Sequence, residues 1–371
     1  MKLALRELRR RPGRFVVATT ILTLIALLLM FIGGLLDGLL ASSTGAFRAQ
    51  RGDLIVFSSS SRESLVRSRI TPEVRSAVEG VEGGTAVGGL GSLQLGARPG
   101  DDPETRDLLA TVLFGYELAP RGLPAEPPAP GTVVADSALR ADGVAEGDTL
   151  LLGPARSPVE VVGFVDDTRY AGQASLWGSL ATWRAVTAEN RPGRAAGDTV
   201  QALVVRADGT APGALAGAID DATGGATTTL TVDAAIEALP GVSQQRSTFN
   251  QIIGVTLVVA LVVVALFFAL ITVERTGLYG ILKAVGASGA TLFAGVVAQA
   301  VVVTLAASAV GVAGSLALDA LVPAGGIPFD PTPGRLAASV ALLLAAAVAG
   351  CAISLRRVLR IDPASAIGAA S

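Results

Sequence analysis

Four long apolar runs constrain this chain more than any other feature. They cover residues 15–40, 252–273, 291–322 and 335–355. A bilayer core needs about 20 residues of helix, and each run meets that length. The second, "IIGVTLVVALVVVALFFALITV", carries no charge at all. Buried helices of a soluble protein are the alternative, but the chain as a whole argues against it. Of 371 residues, 51% are hydrophobic and only 16% are charged, with a mean hydropathy of +0.58. Such values place the chain among membrane proteins. The apolar core of the first run exceeds the roughly 7–15 residues of a signal peptide, and Gly33, Gly34, Asp37 and Gly38 lie at its far end. The Ala-Ser-Ser at 41–43 keeps a cleaved leader as the alternative for that run.

Positive charge near the ends of the spans sets orientation. Lys2, Arg6, Arg9, Arg10, Arg11 and Arg14 precede the first run, Arg275 and Lys283 separate the second and third, and Arg356, Arg357 and Arg360 follow the fourth. The link "PAGGIPFDPTPG", residues 323–334, has neither Lys nor Arg before Arg335. Both termini and the link at 274–290 are therefore expected on the cytoplasmic side, with residues 41–248 outside. Those outer residues hold 25 acidic and 17 basic side chains, a net of −8.

The outer segment reads as a folded domain. Strand-like runs recur at 53–57, 131–135, 148–153, 159–165 and 199–207. Helices are expected at 71–81, where Thr71 caps and Pro72 occupies the first turn, and at 212–222. "GGLGSLQLG" at 88–96 reads as a turn-rich strand pair, and "LPAEPPAP" at 123–130 as a link between subdomains. Residues 233–251 read as a stalk continuous with the second span, which Pro240 kinks or restarts. The expected fold is an α-helical membrane protein with four transmembrane helices plus an α+β extracytoplasmic domain, residues 41–232, inserted between helices 1 and 2.

Enzyme chemistry finds little support. There is no histidine, and the single cysteine, Cys351, lies in an apolar run. The commonest general base and metal ligand are thus missing. No phosphate-binding G-x-x-x-x-G-K-[ST] loop, G-x-S-x-G elbow or H-E-x-x-H pair is present. No catalytic residue and no metal site are assigned. Asp166–Asp167 and Asp220–Asp221 are adjacent carboxylates that point different ways, and read as solvated charges.

The link after the second span, "ERTGLYGILKAVGAS", is more particular. Glu274 and Arg275 mark the inner membrane surface, where water first becomes available to charge. Leu278, Ile281, Leu282 and Val285 share one face of a short helix, and Gly286 is placed to end it. From pattern alone this helix lies on lipid or docks on a partner.

The motif E-R-x-x-x-[YF]-G-I-L-K-A-V-G-A-S, set between two spans, resembles the signature of the FtsX-like, MacB-type ABC permeases. The basic start "LALRELRRRPGRF", the outer domain between spans one and two, and the closing "LRRVLRIDPASAIG" agree with that likeness. "FIGGLLDGLLASS" and the following "GDLIVFSSSSRESLVRSRIT" most resemble the DevC/HrtB-type branch, some of whose permeases are associated with haem efflux.

The resemblance implies a permease subunit of an ATP-driven exporter in a bacterial plasma membrane. It implies a homodimer working with two copies of a separate cytoplasmic ATPase and in contact with membrane lipid, with no nucleic acid partner. No cofactor is bound permanently; ATP is used by the partner, and haem is a candidate cargo. The link would be the coupling helix. Glu274, Arg275 and Lys283 would supply docking polarity, and Gly277, Gly280 and Gly286 close backbone approach. Tyr279 and Leu282 complete the motif. Residues 1–14 would form an amphipathic cytoplasmic helix, with 356–371 as the tail. An FtsX-type signalling subunit acting on an external cell-wall hydrolase, and a lipoprotein-releasing permease, are the alternatives.

If haem is the cargo, the soft ligand expected is Met30, about 22 Å along the first helix from Phe15 at 1.5 Å per residue. Asp37 and Glu63 are the oxygen alternatives. Simple helix packing is the competing reading of Met30. In the third span Ala307, Gly311 and Ser315 suit close helix packing.

Overall fold

The computed structural model describes residues 12–100, 108–194, 197–274, 281, 285–286, 288–322 and 327–358. The chain divides into two compact units, residues 39–245 and the remainder on either side of them.

The inserted domain contains a nine-stranded sheet. Its strands are β1 (Leu54–Ser58), β2 (Gly84–Pro99), β3 (Leu109–Tyr116), β4 (Thr132–Asp136), β5 (Thr149–Leu152), β6 (Ser157–Val165), β7 (Ala174–Ser179), β8 (Ala202–Ala207) and β9 (Thr227–Thr231). Their spatial order is β3-β7-β4-β6-β5-β2-β8-β1-β9, and β3 also pairs with β2. Six strands thus close on themselves, and β8, β1 and β9 continue as a flank. β3–β7 and β4–β6 are parallel; the other pairs are antiparallel.

β2 makes this closure. It pairs with β8 through residues 84–90, with β3 through 90–97 and with β5 through 97–99. The glycine-rich stretch is therefore one long strand, not a strand pair. Its glycines provide clearance rather than turns. Gly91 and Gly115 face each other across β2 and β3, under the α-helix Leu180–Asn190. A Cβ on Gly91 would stand 2.5 Å from the Trp183 ring, and one on Gly115 2.6 Å from the Trp183 Cβ. Only glycine lets that helix settle so close.

Both faces of the sheet are covered. In β1, Leu54 and Val56 enter one apolar cluster while Ile55 and Phe57 enter another, the period-two alternation of a strand buried on two sides. The second cluster stacks Phe114 on Trp177 with centroids 4.5 Å apart and sets Tyr170 edge-on to Phe114. The free edge at β9 is blocked by Asp220, on the α-helix Pro212–Ala222. One of its oxygens accepts from the Thr227 and Thr229 hydroxyls, at 2.8 and 2.7 Å, and the other from the Thr229 N–H at 3.1 Å. That cap removes a pairing edge. The Pro-rich stretch at 123–130 connects β3 to β4 of the same sheet, so it is a loop and not a link between subdomains.

The second unit is helical. Helix α1 spans Pro12–Arg48 without a break, running on past the apolar run. The stalk restarts at Pro240: a short helix ends at Glu237, Gly241 takes a left-handed φ of 85°, and a new helix covers Val242–Glu274. Proline lacks the N–H to continue the first segment. Helices Gly289–Leu321 and Pro333–Val358 follow. All four long helices are apolar enough to cross a membrane.

Candidate functional site

The membrane helices pack through small residues. Ala307, Gly311 and Ser315 are buried along one face of the third long helix. A Cβ on Gly311 would lie 3.0 Å from that of Ala26 and 3.4 Å from the Met30 sulfur. A Cβ on Gly350 would lie 2.8 Å from the Leu261 carbonyl oxygen, so the second and fourth helices meet backbone to side chain. Leu22, Phe268, Val303 and Ala347, one from each helix, belong to a single buried cluster.

A polar clasp holds the far end of α1. The Arg335 Nε lies 3.1 Å from both Asp37 carboxylate oxygens, and its Nη2 closes a further bond to Oδ1. The Thr332 hydroxyl donates to Asp37 Oδ2 at 2.9 Å and accepts the Arg335 N–H at 3.3 Å. The Asp330 N–H donates to the Gly34 carbonyl at 3.0 Å, and Phe329 stacks on Phe31. The sequence "GGLLDG" serves this geometry. Side chains on Gly33 and Gly34 would strike Arg335 and Phe329, and one on Gly38 would strike the Pro328 backbone. The bidentate arrangement lets both charges sit at a membrane boundary, where an unpaired one is costly.

Two of the expected cargo ligands, Met30 and Asp37, have neighbours of their own within the helical unit. Met30 is fully buried against Gly311, and Asp37, about two turns further along, is engaged by Arg335 and Thr332. Glu63 belongs to the inserted domain, where it follows a short 3-10 turn with a left-handed φ of 62°. Arg335, Thr332 and Phe329 were missed from sequence. The available signal was an Asp and an Arg, each at the end of an otherwise uncharged span.

Of the link expected to couple, Glu274 ends the second long helix and is exposed. Arg275, Gly277, Tyr279, Gly280, Leu282 and Lys283 lie outside the described residues, as do 1–11 and 359–371. Ile281 and Val285 are joined by one helical hydrogen bond of 3.0 Å and are 64% and 82% exposed. Gly286 turns the chain with a φ of 99°. Ser288 then caps the third long helix, accepting the Thr291 N–H at 3.2 Å.

Four such helices with an α+β domain inserted after the first define a multi-pass membrane protein. Residues 250–363 match the FtsX-like permease C-terminal family model. The crystal structure of the periplasmic region of MacB from Actinobacillus actinomycetemcomitans is similar to 50% of this chain over 92% of its own, at 13% identity and a TM-score of 0.36. The extracellular domain of the ABC-type transporter YknZ from Gram-positive bacteria is similar to 48% of this chain over 98% of its own, also at 13% identity, with a TM-score of 0.33.

Proposed function

We propose that this chain is the permease subunit of an ATP-driven exporter that extrudes a hydrophobic or amphipathic compound, driven by a separate cytoplasmic ATPase docked on the link after Glu274. The observation that carries the reading is that link. It joins two membrane helices inside the matched permease segment, and its apolar Ile281 and Val285 are exposed on one turn. An exposed apolar pair one turn apart is what a helix offers to a groove. The left-handed Gly286 and the Ser288 cap mark where the third helix begins. The basic residues at the first span, the link and the tail support a plasma-membrane orientation with both termini cytoplasmic and residues 41–248 outside. On this reading two copies of the chain act with two ATPases.

Haem as the cargo is supported only by the branch resemblance. Met30 packs on Gly311 and Asp37 holds Arg335, which favours structural roles for both. The clasp supports the second reading, a mechanical subunit that transmits ATPase motion to an external protein without moving a solute. A stiff joint, rather than a chemical group, is what rigid-body coupling requires.

The test is purification of the full chain with its ATPase, followed by reconstitution into liposomes. Export coupled to ATP hydrolysis supports the transport reading. Stable assembly and hydrolysis without movement of any amphipathic cargo supports the mechanical one. Failure of any ATPase to bind, or ATPase binding unchanged by Ile281→Asp, contradicts docking on the link and leaves it as a lipid-surface helix.

A further inference from the structure

The segment between β6 and β7, residues 166–173, closes over the last turns of α1. The Ala171 and Gly172 N–H groups donate to the Ser43 and Ser42 carbonyls at 3.1 and 3.0 Å, and the Ala46 N–H donates back to the Arg169 carbonyl at 3.1 Å. Gly45 makes room for this crossing. A Cβ there would stand 2.7 Å from the Asp167 carbonyl oxygen and 2.9 Å from the Arg169 backbone nitrogen. Tyr170 enters between helix and sheet, stacked on Phe47 with centroids 5.7 Å apart and edge-on to Phe114 at 5.4 Å. Arg48 and Asp167 add an exposed ion pair at 2.6 Å.

The root of this strap is fixed. The Thr168 N–H and hydroxyl both donate to Asp136 Oδ2, at 3.0 and 2.8 Å, and the Thr168 and Ser175 hydroxyls lie 2.7 Å apart. All three residues are at most 2% exposed, and a satisfied buried network is costly to break. The tip is strained. Tyr170 and Gln173 exchange N–H···O bonds of 3.0 and 2.9 Å across a two-residue turn, with Ala171 at a φ of 50° and Gly172 at 79°. Asn-Gly is the favoured pair for such a left-handed turn, and Ala171 fits it poorly. Asp167, at a φ of 57°, is a second non-glycine residue in that region. The closed strap also leaves Arg169 Nε and Gln173 Oε1 buried without hydrogen-bond partners among the described residues. Strain and unmade bonds of this kind persist only where neighbouring contacts impose them.

We propose that residues 169–173 are a strained strap, held shut by the end of α1 and poised to open about Thr168. Shut, it makes the last turns of α1 move as one body with β4 and β7. Open, it relaxes the Ala171 backbone, gives Arg169 and Gln173 to water, and frees the end of α1 to move against the sheet. These contacts all lie within residues 39–245, so the proposal does not rest on ATPase docking.

The test uses the full chain in phosphatidylcholine nanodiscs, without ATPase. Hydrogen exchange is read by mass spectrometry, each peptide against its intrinsic rate. Amides of 169–173 are expected to exchange before those of β4 and β7, through a local opening. Ala171 is exposed, so Ala171→Asn supplies the favoured turn residue without touching the core. It should slow exchange of the strap by about fivefold. Gly45→Ala suits a helix but strikes the strap, and should speed that exchange by about tenfold. Arg48→Gln removes only an exposed pair and should speed it by about twofold. Tryptophan fluorescence should be unchanged in all three variants. Exchange of 169–173 only together with β4 and β7, or no slowing by Ala171→Asn, overturns the proposal. So does unchanged strap exchange in a folded Gly45→Ala variant. Since no ATPase is present, a failure here leaves the permease reading standing, and loss of ATPase docking leaves this one standing.

Discussion

The inserted domain and the membrane bundle are held together by opposite means. The domain closes over large side chains: Trp177, Tyr116, Phe114, Phe57 and Phe47 are all at most 1% exposed. The bundle closes over the absence of side chains, at Gly33, Gly34, Gly38, Gly311 and Gly350. Water drives apolar burial in the first case. In lipid that drive between helices is absent, and close contact takes over. The domain should therefore fail when volume is removed, and the bundle when volume is added.

The chain carries a natural reporter for each region. Both tryptophans, Trp177 and Trp183, are in the domain, and the lone Cys351 is buried in the bundle. Trp177→Ala removes the ring stacked on Phe114 and should cost the domain about 4 kcal/mol. The midpoint of Trp183 fluorescence should fall sharply in denaturant, while Cys351 labelling by a thiol reagent keeps its midpoint. Gly350→Leu drives a side chain into the Leu261 carbonyl and should cost about 3 kcal/mol. Cys351 should then label early with the tryptophan signal unmoved. If either substitution shifts both reporters equally, the contrast is broken.

The clasp gives a smaller effect. Arg335→Gln leaves Asp37 half-buried and without its cation, costing about 2 kcal/mol once partial exposure is allowed for. Adding Asp37→Asn should recover part of that loss in a double-mutant cycle on Cys351 labelling. Strict additivity would mean the pair does not act as a clasp. A further effect concerns the domain alone. Burial pushes the Tyr116 and Tyr170 hydroxyls up to about 12 from an ordinary 10. Below about pH 10 both folded and unfolded chains hold these protons. Between about 10 and 12 the unfolded chain releases them first, so domain stability should fall with rising pH in that window. A flat tryptophan melting profile from pH 10 to 12 would count against burial of these phenols.

Much of this architecture was legible because periodicity and composition act locally. The uncharged run at 252–273 can only be a buried or membrane helix, and "VEVVGFV" alternates as β6 does. Thr71 and Pro72 start their helix as capping chemistry requires. The misread glycines of β2 show where locality ends. Gly91 is read as a turn former until Trp183, 92 residues away in sequence, is known to press on it. The clasp was hidden for the same reason. Asp37 and Arg335 lie 298 positions apart, and only the fold brings them together. The link at 274–290 stood out by likeness to a family motif rather than by pattern, since an amphipathic turn suits lipid and partner equally.

The central claim, that a separate ATPase drives this chain through the link after Glu274, is tested most directly at Gly286. Its φ of 99° disfavours any β-branched residue, and no atom crowds its side-chain position. Gly286→Val should thus alter the link while the protein stays folded by both reporters. In liposomes holding permease and ATPase, the account predicts that the variant keeps ATP hydrolysis but loses the export linked to it. Export at the wild-type ratio to ATP hydrolysed would contradict the account.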